Sequence, residues 1–210
     1  MKRIALALML CALPGMAIAN APPPEPHLPP TLTPLDILPG DPPQVVTLIE
    51  VPVCYAEGSA KVNDPEDPQG AKTSALIGEL YGKCVAFMQA NELGFGGAPL
   101  AITLSYDPAG DWVFRAAIPV IGLTDATPRS GDGGVAIGMS PAGQAVKVVH
   151  QGSYHSMATA YETIAAYMKA NNLAEGPHAI EEYVSDPGNT PEAELITNVY
   201  FLIGPGVHKE

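Results

Sequence analysis

The heptapeptide Phe87-Met88-Gln89-Ala90-Asn91-Glu92-Leu93 returns 80 residues later as Tyr167-Met168-Lys169-Ala170-Asn171-Asn172-Leu173, and Tyr106-Asp107-Pro108 returns as Ser185-Asp186-Pro187. An internal correspondence restricts the fold more than any single motif, because whatever the first copy builds the second must build again. Residues 81–120 and 161–203 therefore read as two copies of one unit. In the first, β-branched residues at 45–55 predict a strand. Ile77, Leu80, Cys84, Phe87 and Met88 then recur at helical spacing. Two strands follow at 99–105 and 112–120, joined by the turn residues Asp107-Pro108-Ala109-Gly110. The second copy repeats the order: a strand at 145–150, a helix carrying Met157, Tyr161, Ile164 and Met168 with Ser156 as N-cap, and strands at 178–184 and 195–203.

The expected fold is thus α+β, a tandem of β-α-β-β units with helices packed on antiparallel sheet. A unit of three strands and one helix leaves a sheet edge and a sheet face uncovered, so two units gain by joining about a pseudo-twofold axis. A cleft between related halves is a usual place for a ligand. Repeat one is expected at 44–120 and repeat two at 145–204, within a domain at 44–210. Residues 121–144, with Ser130-Gly131-Asp132-Gly133-Gly134, read as a connecting loop or a lid.

The chain ahead of the domain reads differently. Lys2 and Arg3 precede an apolar run at 4–18, and Ala17-Ile18-Ala19 supplies the small residues of a signal-peptidase site. The expectation is a signal peptide at 1–19, cleaved after Ala19, and a periplasmic or secreted protein. No later run is apolar over the length a membrane span needs. Residues 20–43 hold ten of the 23 prolines and read as an extended linker. The chain has 22 acidic and 10 basic residues, for a net charge of −12. Removing the leader takes away two basic residues and no acidic one. That charge argues against a nucleic-acid partner.

Candidate chemistry concentrates in the second unit. Adjacent strand residues face opposite ways, so one of Glu181 and Glu182 must enter an apolar layer or cleft if their strand is central. A carboxylate in an aromatic cleft with no fixed cation is either raised in pKa or poised for a positive ligand. Cys54 and Cys84 fit either a disulfide, which an exported protein permits, or two buried thiols. The histidines are scattered, no metal-ligand spacing is present, and no cofactor motif occurs.

His150-Gln151-Gly152-Ser153-Tyr154, then a helix, then Glu181-Glu182-Tyr183-Val184-Ser185-Asp186-Pro187 and a closing strand, resemble the GyrI-like family, the effector-binding domain of many AraC-type and MerR-type multidrug regulators. Ala117-Ile118-Pro119-Val120 echoes the end of that family's first repeat. The resemblance covers residues 44–204 and implies an SHS2-like tandem in which a buried glutamate and aromatic rings hold lipophilic cations. Carried onto this chain, the glutamate falls at Glu181, with Tyr183 beside it and Tyr154 entering from the preceding turn. Trp112, Phe114, Asn198 and Tyr200 are further ligand-binding candidates. The family often has an acidic residue where Arg115 and Asn198 stand here, and most members adjoin a DNA-binding domain. The resemblance implies a small-molecule-binding module, which the leader makes an exported one. Two alternatives stand beside it: a hydrolase of strained or activated substrates, with Glu181 as base and Tyr154 as hydrogen-bond donor, and an envelope protein-interaction module.

Overall fold

The computed structural model describes residues 37–205 except positions 63, 68, 69 and 108. The expected leader and the Pro-rich stretch to residue 36 lie outside the described residues. Nine strands and two helices follow in the order β1 (Gln44–Leu48), β2 (Pro52–Lys61), α1 (Ala71–Ala90), β3 (Gly94–Phe95), β4 (Leu100–Tyr106), β5 (Asp111–Ile121), β6 (Val135–Met139), β7 (Gly143–Gln151), α2 (Ala158–Ala170), β8 (Glu175–Tyr183) and β9 (Ile196–Ile203). The fold is α+β, with one large antiparallel sheet in the order β1-β7-β9-β8-β4-β5-β2-β6 and the short β3 paired to β5.

The run expected as one strand at 45–55 divides at residues 49–51. Pro52 opens β2, where its missing N–H costs no ladder bond. β1 then crosses to pair with β7, and β6, inside the stretch expected as loop, pairs with β2. This exchange dictates the shape of the sheet. Six strand spacings of about 4.8 Å separate β1 from β2 along the sheet, roughly 29 Å. The four steps from Leu48 to Pro52 span at most about 14 Å. The sheet must therefore curl until its two ends approach, and Val51 and Ser140, from the two connections, exchange hydrogen bonds of 2.9 and 3.0 Å.

Curling gives the sheet an outer face and an inner face. α1 packs on β2 and β5, and α2 on β7 and β9, both outside. The larger apolar core lies beneath them, with Ile77, Met88, Phe114, Tyr161 and Ile164 all at most 1% exposed. A smaller core of Leu48, Val53, Leu100, Ile102, Ile180 and Tyr200 fills the inside of the curl. The two helices end alike. Asn91 and Asn171 donate side-chain hydrogen bonds to the carbonyls of Phe87 and Tyr167, and Glu92 and Asn172 follow at φ 55° and 53°.

The helices begin differently. Asp67 accepts from the N–H groups of Ala71 and Lys72, satisfying the start of α1. Ser156 does not cap α2 as expected. It lies in a 3-10 turn at Tyr154–Ser156, where its hydroxyl donates to the Ser153 carbonyl, and Met157 precedes α2 with no side-chain cap. Among the described residues no helix is long and apolar enough to cross a membrane.

Candidate functional site

β8 and β4 lie mid-sheet, pairing Ala101 with Glu181, between the strands covered by α2 and those covered by α1. Alternation along β8 sends Glu181 and Tyr183 to the outer core, and Ile180 and Glu182 to the inside of the curl. Glu181 is 2% exposed. Ala101 facing it supplies no charge.

Tyrosines close over that carboxylate. Tyr161, from α2, donates to its Oε1, and Tyr183 donates to its Oε2 at 2.6 Å. Tyr154 meets the Tyr183 ring edge-on at 5.6 Å. Tyr81, from α1, is buried with its hydroxyl unpaired, close enough for the charge of Glu181 to bear on it. Burial raises the Glu181 carboxyl above its ordinary range, and the two phenol donors offset some of that rise. Burial, then the charge of Glu181, pushes the phenols of Tyr81, Tyr161 and Tyr183 well up, and that of Tyr154 up to about 12. Burial thus works against the charged form of every group here.

The predicted residues divide between the two faces. Glu181, Tyr183 and Tyr154 come together as expected, but Tyr154 makes no hydrogen bond to Glu181. Tyr161 takes that place. Trp112 and Phe114 lie in the same core but stack on each other, with centroids 3.9 Å apart, and the Trp112 indole donates to Thr103. Asn198 and Tyr200 do not reach the seam. They point inward, because Asn198 pairs with Glu182 across the ladder, and both donate to Glu182 Oε2 at 2.7 Å. Arg115 lies over the Tyr55 ring and binds Glu57, away from Glu181.

Tyr161 was missed as a site residue because its place on the apolar stripe of α2 marks it as core. The signal was its hydroxyl, since a buried tyrosine usually finds a hydrogen-bond partner. Cys54 and Cys84 do meet, as free thiols, fully buried, each bonded to a carbonyl at 3.7 Å. The contact with Cys54, then burial, raises the Cys84 thiol. Ser156 Oγ lies 3.2 Å from His150 Nε2 but gives its proton to a carbonyl, so it is not a nucleophile activated by that ring. Among the described residues no cluster of His, Cys, Asp and Glu could hold a metal.

A curled antiparallel sheet with two helices on its outer face and a buried carboxylate on a middle strand defines this class of α+β domain. The chain belongs to the GyrI-like family: the GyrI-like small molecule binding domain matches residues 42–203. No curated protein matches it. Among solved structures it is similar to the EcmrR C-terminal domain, at 21% identity and TM-score 0.57, over 77% of this chain and 96% of that one. It also matches EcmrR in a DNA complex, at 20% identity and TM-score 0.60, over 77% of this chain but only 56% of that longer chain. SAV2435 bound to tetraphenylphosphonium matches at 14% identity and TM-score 0.53, over 77% of this chain and 93% of that one. A hydrolase from Listeria innocua matches at 15% identity and TM-score 0.52, over 79% and 93%. At these identities the likeness is one of fold.

Proposed function

We propose that this domain binds small lipophilic cations at Glu181, in a seam between α1 and α2 that opens to admit them. The observation that carries the reading is one buried carboxylate whose two oxygens are held by tyrosine hydroxyls. The phenols of Tyr161 and Tyr183 stand in for the ligand's charge. A cation that displaces them exchanges two neutral donors for a full positive charge, and the rings of Tyr81, Tyr154 and Tyr183 offer their negative faces at about 0.5–2 kcal/mol each. Tyr81, with its hydroxyl unpaired, has no bond to lose. The tetraphenylphosphonium on SAV2435 is the kind of ligand this chemistry favours.

In this reading the domain is two copies of one β-α-β-β unit, and their matching helix ends support it. It works outside the cytoplasm, released by cleavage after Ala19, and the net charge of −14 left by 8 basic and 22 acidic residues keeps it from nucleic acid. Isothermal titration with tetraphenylphosphonium tests the site, with tetraphenylborate as an anion of the same shape. The cation should bind saturably, the anion should not, and Glu181→Gln should weaken the cation at least tenfold. Equal binding of both ions, or an unchanged affinity in Glu181→Gln, would sink the reading. Intact mass of the full chain expressed with its leader tests export. The expected product lacks residues 1–19 and appears in the osmotic-shock fraction.

A further inference from the structure

Inside the curl, on the face opposite Glu181, an apolar groove runs to a second carboxylate. Its walls are Leu48, Val51, Leu100, Pro119 and Ile180, and Glu182 with Tyr200 also lines it. Glu182 is only partly covered, unlike Glu181, and is fixed rather than free: Asn198 Nδ2 and Tyr200 Oη both donate to its Oε2 at 2.7 Å. Its Oε1 accepts from no described residue. Lys147, opposite Tyr200 in the ladder, stands over that ring at 5.4 Å, close enough to interact electrostatically with Glu182 but with no ion pair to it among the described residues. Glu182 therefore presents an open acceptor oxygen at the end of an apolar channel.

The size of the groove limits what enters. It encloses about 70 Å³, near half of the roughly 150 Å³ that accommodates a benzene-sized molecule in an engineered cavity. A delocalised aromatic cation of the kind proposed for the outer seam is too bulky. An ammonium head with a few methylene groups fits, and a longer tail would leave past Ile49, which is 52% exposed. Few rings line this channel, so a cation that relies on ring faces gains little here. One that can donate N–H groups gains a charge-assisted hydrogen bond.

We propose that the groove ending at Glu182 is a second binding site, for short primary alkylammonium ions, separate from the seam at Glu181. The head donates to Glu182 Oε1 while Asn198 and Tyr200 hold the other oxygen, and the alkyl chain lies against Leu100, Pro119 and Ile180.

The test is an amide-resolved NMR titration of the whole domain with n-butylammonium, and with n-butanol as a neutral molecule of the same tail. The expected result is saturable shifts at Gly96, Gly97, Leu100 and Ile180, at least tenfold weaker for n-butanol. Glu182→Gln keeps an acceptor for Asn198 and Tyr200, so it should fold, and it should weaken n-butylammonium at least tenfold. Glu181→Gln should leave these shifts unchanged, which separates this site from the seam. A Val51→Phe variant, blocking the groove and sparing both carboxylates, should abolish the shifts. Shifts that survive Glu182→Gln, that match for the alcohol, or that centre on Tyr161 and Tyr183 would overturn the proposal.

Discussion

Glu181 carries a cost that can be read as a pH dependence. Its carboxyl titrates above the ordinary value of 4.5, chiefly through burial. Between that value and the raised one the folded state binds more protons than the unfolded state, so stability falls as pH rises. The contribution is complete below the ordinary carboxylate range and is lost as pH passes the folded value. Urea midpoints measured across this window should fall more steeply for the native chain than for Glu181→Gln, and parallel curves would refute the assignment. Cation affinity should run the other way, rising with pH through the same window, because only the ionised carboxylate attracts the ligand. Tyr161→Phe should destabilise by about 1–3 kcal/mol at neutral pH, since it leaves a buried carboxylate oxygen without its donor. The same truncation in Glu181→Gln should cost measurably less. The seam was legible as far as alternation reaches: a pair of glutamates on a central strand must send one inward, and a register borrowed from resemblance selected Glu181. The partner was not, because an apolar stripe shows that Tyr161 is buried without showing what its hydroxyl meets.

Local chemistry fixes the elements at a few points, and the turn between β4 and β5 is the sharpest. Asp107 accepts from the N–H groups of Ala109 and Asp111, and Gly110 follows at φ +92° with its carbonyl bonded to Val62 N–H at 2.7 Å. A Cβ on Gly110 would lie 2.3 Å from the Val62 carbonyl oxygen. Gly110→Ala should therefore cost about 1–3 kcal/mol from backbone strain, with the clash in addition. Gly133→Ala, at φ +74° with nothing within 4 Å, should cost only the strain. Thermal melts of the two variants give the comparison, and equal losses would contradict it. Both helices and the strands on either side of this turn follow from period and turn chemistry. The break at residues 49–51 and the strand at Val135–Met139 do not, because each is decided by its partner. β1 and β6 hydrogen-bond to distant strands, and a window of sequence carries no trace of that choice.

At the scale of the whole molecule, ligand entry must separate a pair of helices that meet the sheet unequally. α1 has 20 residues and its first amides are bound by Asp67, whereas α2 has 13 and no side-chain cap, and follows a single 3-10 turn. Uncapped first-turn amides are lost to solvent most readily, and caps are worth about 1 kcal/mol. Two of the tyrosines that close the seam, Tyr154 and Tyr161, ride on this weaker entry, one before it and one in its first turn. The seam should open by movement at the start of α2, with α1 and its strands as the fixed wall. Hydrogen exchange gives the measurement. In the free domain the amides at 158–162 should exchange faster than those at 71–75, and saturation with tetraphenylphosphonium should change exchange at the first set while leaving the second. Truncating the buried Met157 to Ala, which loosens the start of α2, should speed exchange at 158–162 and shift cation affinity together, because both follow the balance between the closed and open states. A truncation that sped exchange yet left affinity untouched would place the way in elsewhere.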